Sequence, residues 1–271
     1  MGNLPNIVSL GQRIEMFIAC ILAIIYVYVK TKNYYKTIIT PFLIYLILYL
    51  YLSIPALIKI LFPFFLFQYS DYTMTSIFIL LIIVQLTVWF YLYDRNKLTS
   101  ALKNIRMLRV VHYWLMLLFG FFLGLKLFST QPVLNHYFTL TLALCSVFFS
   151  WMFAVGINDI IDLNIDKISN TDRPLVKKTL SLQEFKNLNL VYLILSFLFA
   201  YLVNYSFFVL ILTFHALSFL YSIPPIRLKQ FLLISKLVIS LAFLVIIMGG
   251  FLLISPDQSL LQFPKEVIFL V

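Results

Sequence analysis

Long apolar runs alternate with short polar segments along this chain, and the runs show no period-2 alternation. A helix needs roughly 20 apolar residues, with a range of about 17–25, to cross the hydrocarbon of a bilayer. The pattern therefore predicts spans near 14–29, 38–52, 74–93, 110–128, 136–157, 182–203, 205–222 and 231–254. The stretch 54–68 is apolar but carries Pro55, Lys59 and Pro63, and reads as an interfacial or re-entrant piece. Ser181 followed by Glu184 predicts a capping box that opens the span over 182–203 and leaves 167–180 as a polar cap. The expected fold class is all-α, a polytopic transmembrane helical bundle of about eight spans with that re-entrant piece.

Composition narrows the solvent. The 271 residues are 63% hydrophobic and 11% charged, whereas soluble domains carry about 25% charged residues. A lipid-spanning β-barrel would need short alternating segments, so helices remain as the way to satisfy the backbone in hydrocarbon. The first apolar run begins after Arg13 and shows no small-residue cleavage site, which reads as a retained helix rather than a signal peptide. Cys20 and Cys145 lie inside apolar runs and form no metal-ligand or thiol spacing. His112, His136 and His215 are scattered, again without ligand spacing.

The formal net charge is +10, but the basic residues stand between apolar spans, which suits topology and phosphate contacts and gives no nucleic-acid partner. The expected alternation puts 16 of the 20 Lys and Arg residues on one side, leaving Arg13, Lys59, Lys126 and Lys265 on the other. The positive-inside rule makes the first side cytoplasmic, provided 54–68 does not cross. The basic segment 94–109 is the expected internal boundary. It separates accessory transmembrane helices over 1–100 from a second region over 101–271.

That second region holds the chemistry. Asn158, Asp159, Asp162 and Asp166 are followed by Asn170, Arg173 and Pro174. At about 100° per residue on a helix, the first four share an arc of roughly 100°. Like charges at i,i+3 and i,i+4 repel, and anions beside a helix C-terminus oppose its dipole. A divalent cation relieves both. Oxygen ligands without Cys or His favour a hard ion, Mg²⁺, which commonly binds through one or two carboxylates plus substrate phosphates. The bland alternative is a solvated acidic loop balanced by Lys167 and Arg173.

A second string, Tyr221-Ser222-Ile223-Pro224-Pro225-Ile226-Arg227-Leu228-Lys229, ends a span at two prolines and then presents two cations on the side of the aspartates. Such cations would neutralise a departing diphosphate. The alternative is that they only set topology. The many aromatic residues would line an apolar tunnel or be lipid-facing packing, and no tunnel residue stands out.

N-D-x-x-D-x-x-x-D followed by N-x-x-R-P resembles the first aspartate-rich motif of the UbiA superfamily of intramembrane prenyltransferases. The Y-S-x-P-P-x-R-L-K string resembles that family's turn after its fourth helix. The resemblance covers roughly residues 105–271 and implies a Mg²⁺-dependent transferase acting on an isoprenoid diphosphate donor and a lipophilic or aromatic acceptor, amid membrane lipid. It implies Asp159, Asp162 and Asp166 as catalytic, metal-facing carboxylates, directly or through water. Asn158, Arg173, Tyr221, Arg227 and Lys229 would then hold the diphosphate, with the site on the cytoplasmic side.

The family's second aspartate-rich motif, after its sixth helix, has no counterpart. The acids after Lys229 are Asp257 and Glu266 alone. Phe263-Pro264-Lys265-Glu266 looks like the start of another helix, so a truncated sequence is expected, and the chain as given is expected not to turn over by itself. The rival readings are a degenerate homologue that binds diphosphate without turnover and a lipid-phosphate transporter.

Overall fold

The computed structural model describes residues 10–61, 71–130, 134–255 and 260–270, and among them every regular element is helical. Among the described residues seven helices are long and apolar enough to cross a membrane, and the chain is an integral membrane protein. It forms two compact units, Met1–Gln68 and Tyr69–Val271.

In the first unit, α1 (Leu10–Thr31) packs against α2 (Tyr34–Leu61). Lys32 turns the chain at φ 50°, and Asn33 caps α2 by accepting from the Lys36 backbone N–H at 3.2 Å. Their spanning stretches bury nothing inside the protein, as suits a hairpin solvated by lipid. The structure corrects the reading of 54–68 as a separate piece: residues 54–61 continue α2 through Pro55, and 62–68 lie outside the described residues. Prolines are tolerated in membrane helices because neighbouring groups and small local adjustments satisfy the backbone they free.

The second unit begins with α3 (Asp71–Tyr93), the helix of the expected third span, whose apolar stretch Ile77–Tyr93 is shorter than the other seven. A short helix, α4 (Arg95–Lys103), follows, capped by Asp94, which accepts from the Lys97 N–H at 3.0 Å. The bundle proper comprises α5 (Met107–Leu127), α6 (Leu134–Ile161), α8 (Leu182–Val203), α9 (Tyr205–Ser222) and α10 (Leu232–Leu252). Two short helices, α7 (Leu163–Ser169) and α11 (Lys265–Leu270), and a 3₁₀ turn at Leu228–Gln230 complete it.

Helix α5 packs on α6 and α10, α6 on α8 and α9, and α9 on α10. The buried core runs through Leu117 and Phe121 of α5, Val147 of α6, Ile211 and Phe214 of α9, and Ile246 of α10. In lipid, helices gain little from hiding apolar surface from each other, so small residues that let backbones approach carry the association. Gly120 and Gly250 do this for α5 and α10. A Cβ on Gly120 would overlap the Ile247 carbonyl oxygen, and one on Gly250 the Leu117 carbonyl oxygen.

The expected capping box is present: the Glu184 N–H donates to Ser181 Oγ at 3.2 Å, and Glu184 accepts from the Ser181 N–H at 2.9 Å. The segment before it is packed as well as polar, with Leu175, Leu180 and Phe185 forming a small buried cluster that touches Ile160.

Candidate functional site

The helix bearing the aspartates does not run straight through them. Helix α6 ends at Ile161, and Asp162, at φ −88° and ψ 8°, joins it to α7. The backbone nearly keeps helical bonding across the joint, because the Asp162 N–H donates to Asn158 O at 2.9 Å and the Asp166 N–H to Asp162 O at 2.8 Å. The aspartates therefore stay one to two turns apart, yet they divide into two groups.

Asp159 and Asp166 form the first group, each only 3% exposed. Arg173 joins them, donating to Asp159 Oδ1 at 2.6 Å and to Asp166 Oδ2. Arg106 adds a second guanidinium to Asp159 Oδ1 at 2.8 Å, and Asn104 donates to Oδ2 at 3.3 Å. Asn170 donates to Asp166 Oδ1 at 3.0 Å. In the second group Asp162 accepts from Arg227 Nη2 at 2.7 Å and from Lys229 Nζ. Lys229 also donates to Asn158 Oδ1 at 2.7 Å.

Of the residues expected from sequence, Arg173, Arg227 and Lys229 thus meet the three aspartates and Asn158 joins them through Lys229, while Tyr221 lines a neighbouring cavity. Arg106 and Asn104 carried no local signal, because they stand 53 and 55 residues from Asp159 in sequence. Arg106 read as one more cation in a basic connecting segment.

Charge balance explains why these acids can be buried. Removing an ion from water costs several kcal/mol unless partners compensate, and here three carboxylates face four cationic side chains. The fourth cation leaves the cluster net positive, which is a setting for an anion. Arg227 Nε is buried without a hydrogen-bond partner, a spare donor beside Asp162. Buried donors are almost always paired, so this one suits an incoming oxygen.

Among the described residues, no three Asp, Glu, His or Cys groups converge tightly enough to cage a metal. The donors are nevertheless all carboxylate and amide oxygens. They fit a hard ion such as Mg²⁺ that uses one or two carboxylates and takes its other ligands from a diphosphate and water.

A cavity of about 290 Å³ opens between α5, α6, α9 and α10. Its polar end includes Arg106, Arg109, Asn158 and Ser222, and its deeper wall includes Tyr113, Trp151, Phe214 and Phe243. Arg106 and Asn158 belong both to the charged cluster and to this cavity, so the two are continuous.

A sequence profile of the UbiA prenyltransferase family matches residues 113–270, more than half of the chain. This protein belongs to the UbiA prenyltransferase family. Comparison with curated proteins finds no match. Among solved structures, the chain is similar to a digeranylgeranylglyceryl phosphate synthase, with 23% identity and a TM-score of 0.49 over 57% of this chain and 52% of that one. It is also similar to a UbiA homolog from Archaeoglobus fulgidus, determined with GPP and Mg²⁺ and again with DMAPP and Mg²⁺. For both, the identity is 26% and the TM-score 0.48, over 61% of this chain and 57% of the homolog. The chain spans little more than half the length of these proteins. This UbiA-family chain therefore joins a charged cluster drawn from four segments to an aromatic cavity inside a membrane bundle.

Proposed function

We propose that this chain transfers a prenyl group from an isoprenoid diphosphate to a lipophilic or aromatic acceptor, with Mg²⁺ that one or two of Asp159, Asp162 and Asp166 would hold together with the diphosphate. The observation that carries this reading is the net positive cluster around the three aspartates, continuous with an apolar cavity, in a member of the prenyltransferase family.

Bound Mg²⁺ would neutralise charge on the diphosphate and polarise its oxygens. Arg106, Arg173, Arg227 and Lys229 already stand among carboxylate oxygens and can exchange some of these for phosphoryl oxygens with little movement. They fix the donor's orientation and stabilise the negative charge that grows on the diphosphate as the allylic C–O bond breaks. The bonding electron pair leaves with the diphosphate. The acceptor's nucleophilic atom then forms the new bond to the prenyl carbon and releases its proton. In this reading the site faces the cytoplasm, because the cluster lies on the side that carries 16 of the 20 basic residues.

Binding of diphosphate without turnover is a second reading, favoured by the ion pairs that already occupy all three aspartates. One experiment addresses both. Purified protein in nanodiscs is titrated with a prenyl diphosphate in the presence of Mg²⁺, and release of inorganic diphosphate is followed with and without an aromatic acceptor. Donor binding that disappears in Asp159→Ala and Asp162→Ala supports the site, and unchanged binding in both variants refutes it. Acceptor-dependent release of diphosphate separates transfer from binding alone.

A further inference from the structure

The cavity ends on a ring of aromatic side chains, and its depth is set by helix register. Tyr113 sits at the centre of this floor. Its ring centroid is 4.8 Å from that of Trp151, 5.1 Å from Phe243 and 5.7 Å from Phe214. Tyr113 and Phe214 are buried, at 6% and 1% exposure, and no residue beyond Tyr113 on α5 or before Trp151 on α6 lines the cavity. All four residues line the cavity and come from different helices, α5, α6, α9 and α10.

The charged end and the floor lie two helical turns apart. Arg106, the residue just before α5, precedes Tyr113 by the same interval that separates Trp151 from Asn158 on α6, which is about 10 Å along a helix axis. Each isoprene unit adds four carbon–carbon bonds of about 1.5 Å, which in a zigzag advance by about 5 Å. Two units therefore reach from the cation cluster to the aromatic floor, and a third meets Tyr113. The volume of about 290 Å³ agrees, being at the small end of the roughly 300–1,000 Å³ of small-molecule pockets.

We infer that Tyr113, with Trp151, Phe214 and Phe243, sets the length of the donor chain and selects a ten-carbon prenyl diphosphate over longer ones. The inference rests on the donor-site reading given above. Tyr113 acts by filling space: it touches the tail of the donor and takes no part in breaking the C–O bond.

The test is a binding series on the purified 271-residue protein in nanodiscs with Mg²⁺, using inorganic, dimethylallyl, geranyl and farnesyl diphosphates. A pocket that gains or loses one methylene changes discrimination by about 10–200-fold. Geranyl diphosphate is expected to bind at least about tenfold more tightly than farnesyl diphosphate. Tyr113→Ala is expected to reverse that order. Because Tyr113 is buried, Phe243→Ala serves as a second opening of the floor and is expected to move the preference the same way. If the native protein binds farnesyl as well as geranyl diphosphate, or if both folded variants keep the native order, the floor assignment is wrong although the donor site stands. If not even inorganic diphosphate binds, the donor-site reading fails, and this inference with it.

Discussion

Arg227 donates from Nη2 to Asp162 Oδ1 at 2.7 Å across 65 residues of chain, and it does so from a left-handed backbone at φ 36° and ψ 59°. For a residue with a Cβ that conformation costs roughly 1–2 kcal/mol. The strain persists because the ion pair ties the turn after α9 to the α6–α7 joint, which is how local strain is retained at working sites. Arg227→Gly removes both strain and cation, whereas Arg227→Ala removes the cation alone. The Gly variant is expected to be more stable than the Ala variant by about 1 kcal/mol in denaturant unfolding. Both are expected to lose prenyl diphosphate binding, and equal stability would mean that the turn is not strained.

Asp159 and Asp172 each pair with a cation at 2.6 Å, but one is buried and the other almost fully exposed. Asp159→Ala takes from Arg106 its carboxylate partner and leaves Arg173 with Asp166 alone, and is expected to destabilise the protein by up to about 3 kcal/mol. Asp172→Ala is expected to leave the thermal unfolding midpoint unchanged, since solvent screens its pair with Lys177. Lys177 holds the Asp172 carboxyl below its ordinary range, so the small contribution of that pair is present near neutral pH and lost as pH falls through the lowered value. Thermal unfolding of both variants at neutral pH checks the contrast.

Arg106 had no signature in the sequence, yet it reaches the same carboxylate oxygen as Arg173. Arg106→Ala is expected to reduce diphosphate affinity or prenyl transfer by about 10²–10³-fold, the scale for losing one donor to developing charge. Arg109→Ala, in the first turn of α5 but without an ion pair to the aspartates among the described residues, is expected to have a smaller effect. Similar effects for the two would remove the special place given to Arg106.

Mg²⁺ and diphosphate are expected to bind together. The cluster is already net positive, so the metal by itself meets repulsion, whereas a metal–diphosphate pair brings compensating charge. Calorimetry should show no saturable Mg²⁺ binding without diphosphate, and loss of donor binding when the metal is chelated. Tight binding of Mg²⁺ alone would contradict this.

Gly120→Ala places a methyl group on the Ile247 carbonyl and forces α5 and α10 apart. Overpacking of this kind is expected to destabilise by about 1–3 kcal/mol. Leu115→Ala, at an exposed position of the same helix, should leave the unfolding midpoint nearly unchanged. Thermal unfolding in one detergent compares them directly.

The features legible in the sequence share a short range. Apolar run length requires helices in lipid, Ser181 and Glu184 write their own capping box, and Pro224 and Pro225 stop α9 just after Ser222. Each depends on neighbours a few residues away, or on the solvent alone. Residues 54–61 continue α2 through Pro55 because lipid leaves the backbone no partner outside the helix.

By itself, then, the sequence determined a membrane helical bundle, its strongest helix boundaries and the residue types of an anion-binding site. Tertiary structure decided which cation meets which aspartate, where Arg106 and Asn104 enter, how closely α5 and α10 approach, and where the cavity stops at Tyr113. The physical reason is that charge pairing and steric closure depend on distances between segments far apart in the chain. Helix packing sets those distances, and no local pattern encodes them.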